Sequence, residues 1–303
     1  AMAIEPVNEK DDIKRQTKIV PGHADFPGTL KYNHKDVRNV LERASARETA
    51  ARVAVGSICK KFLSEIGIDI KSRVISIGWE KTSVANVDQI NWEHVENSIV
   101  RSTNTREEQL FTNVIDQAKK ERTTIGGVFQ VIGFGIPLGL GDYIQWDNKL
   151  DGKIAQSMMS INAVKGVEIG NGFNNTEKYG NLVQDVIEPN SQDERKFSQK
   201  TNHAGGLEGG MSNGNNIIVN VAVKPIATMT KPLPSVDIIS GDIVEAAYNR
   251  SDICQVARAC PIGEAMLAIT LSEVVLEKFG GDSIQEIKRN YKAYISSFKE
   301  YGK

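Results

Sequence analysis

Cations spaced to grip an anion are the first chemistry this sequence offers. Arg43 and Arg47 flank Ser45, and Ser45 stands three residues ahead of Glu48. That spacing predicts a capping box, in which the Ser45 hydroxyl accepts from the Glu48 N–H and the Glu48 carboxylate accepts from the Ser45 N–H. Ala51, Val55, Ile58 and Phe62 follow at helical spacing and predict the buried face of the helix so started. A helix N-terminus presents unpaired N–H groups and favours negative charge, and two guanidinium forks beside it add bidentate recognition of phosphate or carboxylate. The same pattern also fits an ordinary capped helix with solvated arginines.

Other chemistry-bearing residues lie far apart in the chain. His23 sits in Pro21-Gly22-His23-Ala24-Asp25, a turn by its Pro-Gly pair. Lys224-Pro225 follows directly on an apolar alternation, and Asp252 closes Arg250-Ser251-Asp252. Gly126 to Gly141 is glycine-rich but lacks dinucleotide-fingerprint spacing, and Pro137 blocks a helix there. Gly205 to Gly214 is dense enough in glycine to pass close to a flat or anionic ligand, or to be a flexible turn. No His/Asp/Glu cluster has metal-ligand spacing, so a metal hydrolase is disfavoured.

The literal strings carry a resemblance. Leu41-Glu42-Arg43-Ala44-Ser45-Ala46-Arg47-Glu48-Thr49-Ala50-Ala51-Arg52-Val53-Ala54-Val55-Gly56 resembles the central motif of chorismate synthases. The turn at 21–25, Ser160 to Gly170, Gly205 to Gly214, Lys224-Pro225 and Arg250 to Asp252 agree in the same order. The resemblance runs from about residue 19 to the final helix. It implies an α+β fold, with helices packed between antiparallel β-sheets, as a homo-oligomer, usually a homotetramer. It implies the anti-1,4-elimination of phosphate from 5-enolpyruvylshikimate 3-phosphate to give chorismate, using reduced FMN without net redox change.

By the same resemblance, FMN contacts Arg43, Ala44, Ser45, Asn162, Ala163, Gly209, Lys224, Pro225, Ile226, Ala227, Thr228 and Arg250. Arg47 addresses the substrate, His23 is a proton donor near the flavin, and Asp252 relays a proton. NADPH enters only indirectly, through a separate flavin reductase. Two positions depart from the family pattern: Val20 stands where Arg is usual, and Ala44 where Ser is common. The upstream Gly-Glu-Ser-His-Gly stretch, whose histidine is a second catalytic acid in the family, has no counterpart. Two expectations follow: the family enzyme, or a shortened and impaired fragment that still binds FMN or phosphate.

The elements that must position these residues are legible from periodicity. Strands are expected at 73–77, 128–132 and 217–223. Helices are expected from the capping boxes Thr105-x-x-Glu108 and Ser283-x-x-Glu286, over 147–161 with Leu150, Ile154, Met158 and Ile161 buried, and over 253–279. Residues 1–18 read as a flexible lead, 19–303 as one domain, and about 171–203 as a long mobile loop.

Composition sets outer bounds. The 37 basic and 38 acidic residues among 303 leave a net charge of −1, so nothing points to nucleic acid or an anionic membrane. No apolar run is read as a membrane span and no signal peptide opens the chain. Three cysteines without metal spacing suit a reducing cytoplasm.

Overall fold

The computed structural model describes residues 15–84, 86–193, 195–248 and 252–300. Its helices are α1 (Asp25–Tyr32), α2 (Arg38–Arg43), α3 (Thr49–Ser64), α4 (Trp92–Asn97), α5 (Thr105–Lys120), α6 (Leu150–Met159), α7 (Gly172–Asn175), α8 (Val256–Phe279) and α9 (Ile284–Ser297). Its longer strands are β1 (Asp69–Ile77), β3 (Gly127–Phe134), β4 (Val164–Ile169) and β9 (Ile217–Val223), with β2 (Glu80–Lys81) at one edge. They form a five-stranded antiparallel sheet in the order β2-β1-β3-β9-β4. Three small hairpins complete the set: β5 (Ile187–Pro189) with β6 (Phe197–Gln199), β7 (Leu207–Glu208) with β8 (Met211–Ser212), and β10 (Pro234–Val236) with β11 (Ile243–Glu245). The class is α+β, as expected.

The core forms where one face of the sheet meets α8. Ile217, Val219, Val221 and Val223 alternate inward along β9, and Phe129 and Val131 do so on β3. Gly263 lets α8 lie against Phe129 and Val131, because a Cβ there would stand 2.8 Å from Val131 Cγ2. On the other side of α8, Gly56 of α3 admits Ala265 to backbone contact, with Ala265 Cα 2.5 Å from where a Cβ would be. Two glycines thus let the central helix pack closely on both sides.

That position bears out one sequence expectation, that no run is a membrane span, and overturns another. α8 is 24 residues long with a mean hydropathy of 1.6 in its most apolar window, enough to cross a membrane by length and composition. It is instead the core helix, 61% of that window being buried inside the protein. On α3 the buried residues are Thr49, Gly56 and Leu63, and of the expected Ala51, Val55, Ile58 and Phe62 only Phe62 packs against the core. Ile58 is 73% exposed. Close approach to α8 needs the smallest side chain at the crossing, so Gly56 sets the rotation of the helix and the branched residues turn outward.

The opposite face of the sheet carries a polar row across four strands. Arg73 Nε donates to Gln130 Oε1 at 3.0 Å, Gln130 Nε2 to Asn220 Oδ1 at 2.9 Å, and Asn220 Nδ2 to Glu168 Oε2 at 2.8 Å. These residues stand opposite one another in register. Burial of Arg73 pushes its guanidinium down to about 10, opposed by the charge of Glu107. Beside the row, Ile132 joins Ile90 and Val95 in a second small cluster.

Caps and connections differ in detail from the spacing. α5 is capped by Asn104, whose Oδ1 accepts from Glu107 N–H at 3.0 Å, one residue earlier than the expected Thr105 and Glu108. α9 is capped by Ser283, as expected, with its hydroxyl accepting from Glu286 N–H at 3.3 Å. Residues 171–203 contain α7 and the β5–β6 hairpin, and Asp185 accepts from the Thr201 hydroxyl and from the His203 and Ala204 N–H groups. Of the expected lead, residues 1–14 lie outside the described residues, while Thr17 donates to Asp237 and accepts from Ile238 N–H.

Candidate functional site

The site begins with a turn that the sequence encodes. Val20 to His23 closes with His23 N–H donating to Val20 O at 3.1 Å. Pro21 supplies the fixed φ and Gly22 the positive one, +83°, as a type II turn requires. His23 therefore stands at the end of a rigid corner. Lys224, the residue after β9, reaches over and donates from Nζ to the Gly22 carbonyl.

A second corner lies opposite, where α6 gives way to β4. Ala163 adopts φ +66°, uncommon for a residue with a Cβ, and its carbonyl accepts from Lys224 N–H at 3.0 Å. Asn162 Nδ2 donates to the Ala44 carbonyl at 3.1 Å, tying this corner to the α2–α3 junction. The Asn162 Oδ1 atom is buried and has no hydrogen-bond partner.

Between the corners lies a recess of about 370 Å3 whose lining includes His23, Ala44, Asn162, Ala163 and Lys224 to Thr228. It adjoins a second recess of about 940 Å3, lined by Arg47, Asp252 and Arg258 among others. Ala46, Asn162 and Gln255 line both. Four cations, Lys165, Lys224, Arg47 and Arg258, surround the pair, with Asp252 ion-paired to Arg258 at the mouth of the larger. Cationic groups and open backbone corners give this double recess a chemistry suited to an anionic, partly flat ligand.

The opening motif reaches this site by a different local geometry from the capping box. Ser45 Oγ accepts from Arg47 N–H at 3.3 Å and caps a 3-10 turn over Ala46–Glu48 that leads into α3. Glu48 does not reach back to Ser45. Its carboxylate is held by Arg52, with Nη2 to Oε1 at 2.9 Å and Nε to Oε2 at 3.1 Å. Arg52 in turn donates from Nη1 to the Ser160 hydroxyl at 2.7 Å, just ahead of Asn162. The Glu48–Arg52 pair therefore braces the α6 corner. Arg47 stays 86% exposed, free to meet a ligand at the larger recess.

Most of the residues expected from the sequence thus converge. Arg43 and Ser45 bracket Ala44 without lining the smaller recess themselves. Gly209 lies elsewhere, at the β7–β8 turn. Its neighbour Gly210 accepts from Leu150 N–H at 2.8 Å at the start of α6, whereas Asn162 follows the end of that helix, some ~15 Å of helix away. Arg250 lies outside the described residues. Gly205 and Gly206 of that stretch press on the chain's own backbone: a Cβ on Gly206 would stand 2.5 Å from Asn216 O.

Gln255, Lys165, Arg258 and Arg52 were not singled out by sequence. Gln255 is the residue before α8 and sits where the two recesses join, which no local pattern announces. Among the described residues, no group of three or more His, Cys, Asp or Glu is placed to hold a metal.

Comparison with known proteins identifies the family. The chorismate synthase family model matches residues 2–276. Curated chorismate synthases from Desulforudis audaxviator and Aquifex aeolicus are 48% and 46% identical, over 93% and 94% of this chain and 72% and 73% of their own length. A crystal structure of chorismate synthase superposes with a TM-score of 0.79 at 42% identity, covering 92% of this chain and 77% of that one. With most of its motifs folded around one cationic double recess, and with residues 2–276 matched by the family model and 92% of the chain by a solved structure, the chain belongs to the chorismate synthase family.

Proposed function

We propose that the chain converts 5-enolpyruvylshikimate 3-phosphate to chorismate by anti-1,4-elimination of phosphate, with reduced FMN in the smaller recess. The observation that carries this reading is convergence. His23, Asn162, Ala163 and Lys224 to Thr228, distant in sequence, line one recess, and Arg47 and Asp252 line its neighbour. The residues fit the cofactor. Asn162 Oδ1 is a buried acceptor awaiting a donor, Lys224 supplies a cation, and the Ala163 corner offers backbone to a flat ring. When bound, reduced FMN supplies electron density to the ring that loses phosphate.

The chain's own groups do the rest. Arg47 and Arg258 offset the charge that gathers on departing phosphate. His23 holds a proton at the edge of the smaller recess, and Asp252, paired with Arg258, is placed to accept or pass one at the larger. Arg43, Ser45, Gly209 and Arg250 are further proposed flavin contacts, Gly209 requiring an approach from outside this recess.

We place the chain in the cytoplasm, whose reducing conditions suit the three free cysteines, with a separate NADPH-dependent reductase supplying the flavin. Its substrate is a small phosphorylated acid, and it works as a homo-oligomer, proposed to be a tetramer. Large exposed apolar side chains, Trp146, Phe173 and Tyr179 among them, support assembly.

The test is anaerobic chorismate formation followed by absorbance with chemically reduced FMN, in the purified protein and in His23→Ala. The variant is expected to lose about 10²–10⁴-fold, the usual worth of a general acid. Unchanged turnover in His23→Ala would remove His23 from the chemistry. Absence of saturable FMN fluorescence quenching, with or without substrate, would remove the cofactor assignment.

A further inference from the structure

Asp25, two residues after His23, is fully buried at the start of α1. Its Oδ2 accepts from Val20 N–H at 2.8 Å and its Oδ1 from Phe26 N–H at 3.0 Å. These two backbone donors fix the plane of the carboxylate. They do not satisfy it, because an ionised carboxylate offers about four acceptor positions and is costly to bury with any left empty. Across from it, His23 Nδ1 is also buried and has no hydrogen-bond partner, and it stands 3.7 Å from Asp25 Oδ1.

Two buried, complementary and unfilled groups therefore face each other. The distance is too long for a hydrogen bond. The carboxylate is held and the imidazole is not, so a modest rotation of the His23 ring closes the gap. Hydrogen bonds of catalytic groups are commonly long before ligand binds and tighten in the complex.

We propose that Asp25 is the positioning residue for His23: its carboxylate accepts the Nδ1–H, fixes the ring and its tautomer, and leaves Nε2 as the atom that exchanges a proton with the ligand. This rests on the proton-donor role proposed for His23. It assigns Asp25 a task that no local pattern reveals, since an acid two residues past a turn histidine reads as a first-turn helix residue. The type II turn is part of the device. It holds the His23 backbone against Val20, the same residue whose N–H pins the carboxylate. Lys224, bonded to the Gly22 carbonyl, keeps that loop from swinging away.

The experiment combines nitrogen-15 spectroscopy of the His23 ring with kinetics of Asp25→Asn. Asparagine keeps one oxygen, enough for the Val20 N–H, and puts an NH2 donor in place of the Oδ1 that faces His23, so that a proton at Nδ1 is no longer demanded. Neutral His23 in the unsubstituted protein is expected to carry its proton on Nδ1, and Asp25→Asn to shift it toward Nε2. Turnover should fall by about 10²-fold, within the range for a general acid, with KM and FMN quenching little changed. An Nε2–H tautomer in the unsubstituted protein overturns the proposal, even if Asp25→Asn fails to fold. So does full turnover by a folded Asp25→Asn. If His23→Ala is fully active while the tautomer still depends on Asp25, the proton-donor reading has failed and the pairing has not.

Discussion

At the scale of single residues, the site depends on which charges are held and which are left free. Arg52 is engaged by Glu48 and Ser160, whereas Arg47 reaches only Glu42, at 3.6 Å between exposed side chains. Similar cations in one motif thus divide the work, one bracing the fold and one facing the ligand. Arg47→Lys keeps the charge but loses the planar fork. It is expected to weaken substrate binding by about 1.5–3 kcal/mol, the worth of a charged hydrogen bond, without moving the melting temperature. Calorimetric binding alongside thermal melting checks this; a fall in melting temperature with intact affinity would make Arg47 structural.

At the scale of elements, two features decide how the helices sit. Gly56 has no room for a side chain against Ala265. Gly56→Ala is expected to destabilise the protein by about 1–3 kcal/mol through overpacking, and Ala265→Gly in the same chain to recover part of it. Denaturant midpoints of the single and double variants measure the coupling, and simple additivity would show that the two residues do not meet.

The second feature is Glu107 in the first turn of α5. Burial works against its ionisation, but hydrogen bonds from the Thr103, Ser83 and Thr82 side chains and from Ser83 N–H outweigh this and hold the carboxyl at about 2, against 4.5 for a free one. A carboxyl depressed in the folded state stabilises above its unfolded value, and that stability drains as pH falls from 4.5 toward 2. The depression corresponds to about 3 kcal/mol. Glu107→Gln should therefore cost most near neutrality, and its deficit in urea should shrink below pH 4.5. A deficit independent of pH would assign the loss to packing.

At the scale of the molecule, the exposed apolar side chains are not spread evenly. Phe173, Tyr179, Leu182 and Ile187 lie close in sequence on the segment that carries the β5–β6 hairpin, with Tyr179 at 82% exposure. Single chains seldom leave such clusters in water. Tyr179→Glu combined with Leu182→Glu is expected to yield a smaller species in light scattering while circular dichroism stays unchanged. An unaltered mass would count against assembly through this surface.

The sequence by itself determined the elements whose signal is local. β9 spans 217–223 as its alternation requires, and α6 with the turn after it buries Leu150, Ile154, Met158 and Ile161 as their spacing requires. The Pro21-Gly22 turn and the Ser283 cap follow from φ preferences and side-chain hydrogen bonds that need no distant partner. Literal motifs identified the family and most of the recess lining.

Tertiary structure decided whatever depends on a partner far along the chain. Glu48 leaves its expected capping partner because Arg52, anchored to Ser160 of another helix corner, offers a charged one. α3 turns Val55 and Ile58 outward because Gly56, which has no side chain, is what meets the Ala265 backbone of α8 at the crossing. α8 looks like a membrane span because a helix surrounded by protein needs apolar residues all round, and only its neighbours tell the two cases apart. Gln255 gains its place for the same reason, because local spacing cannot show that two recesses meet at it.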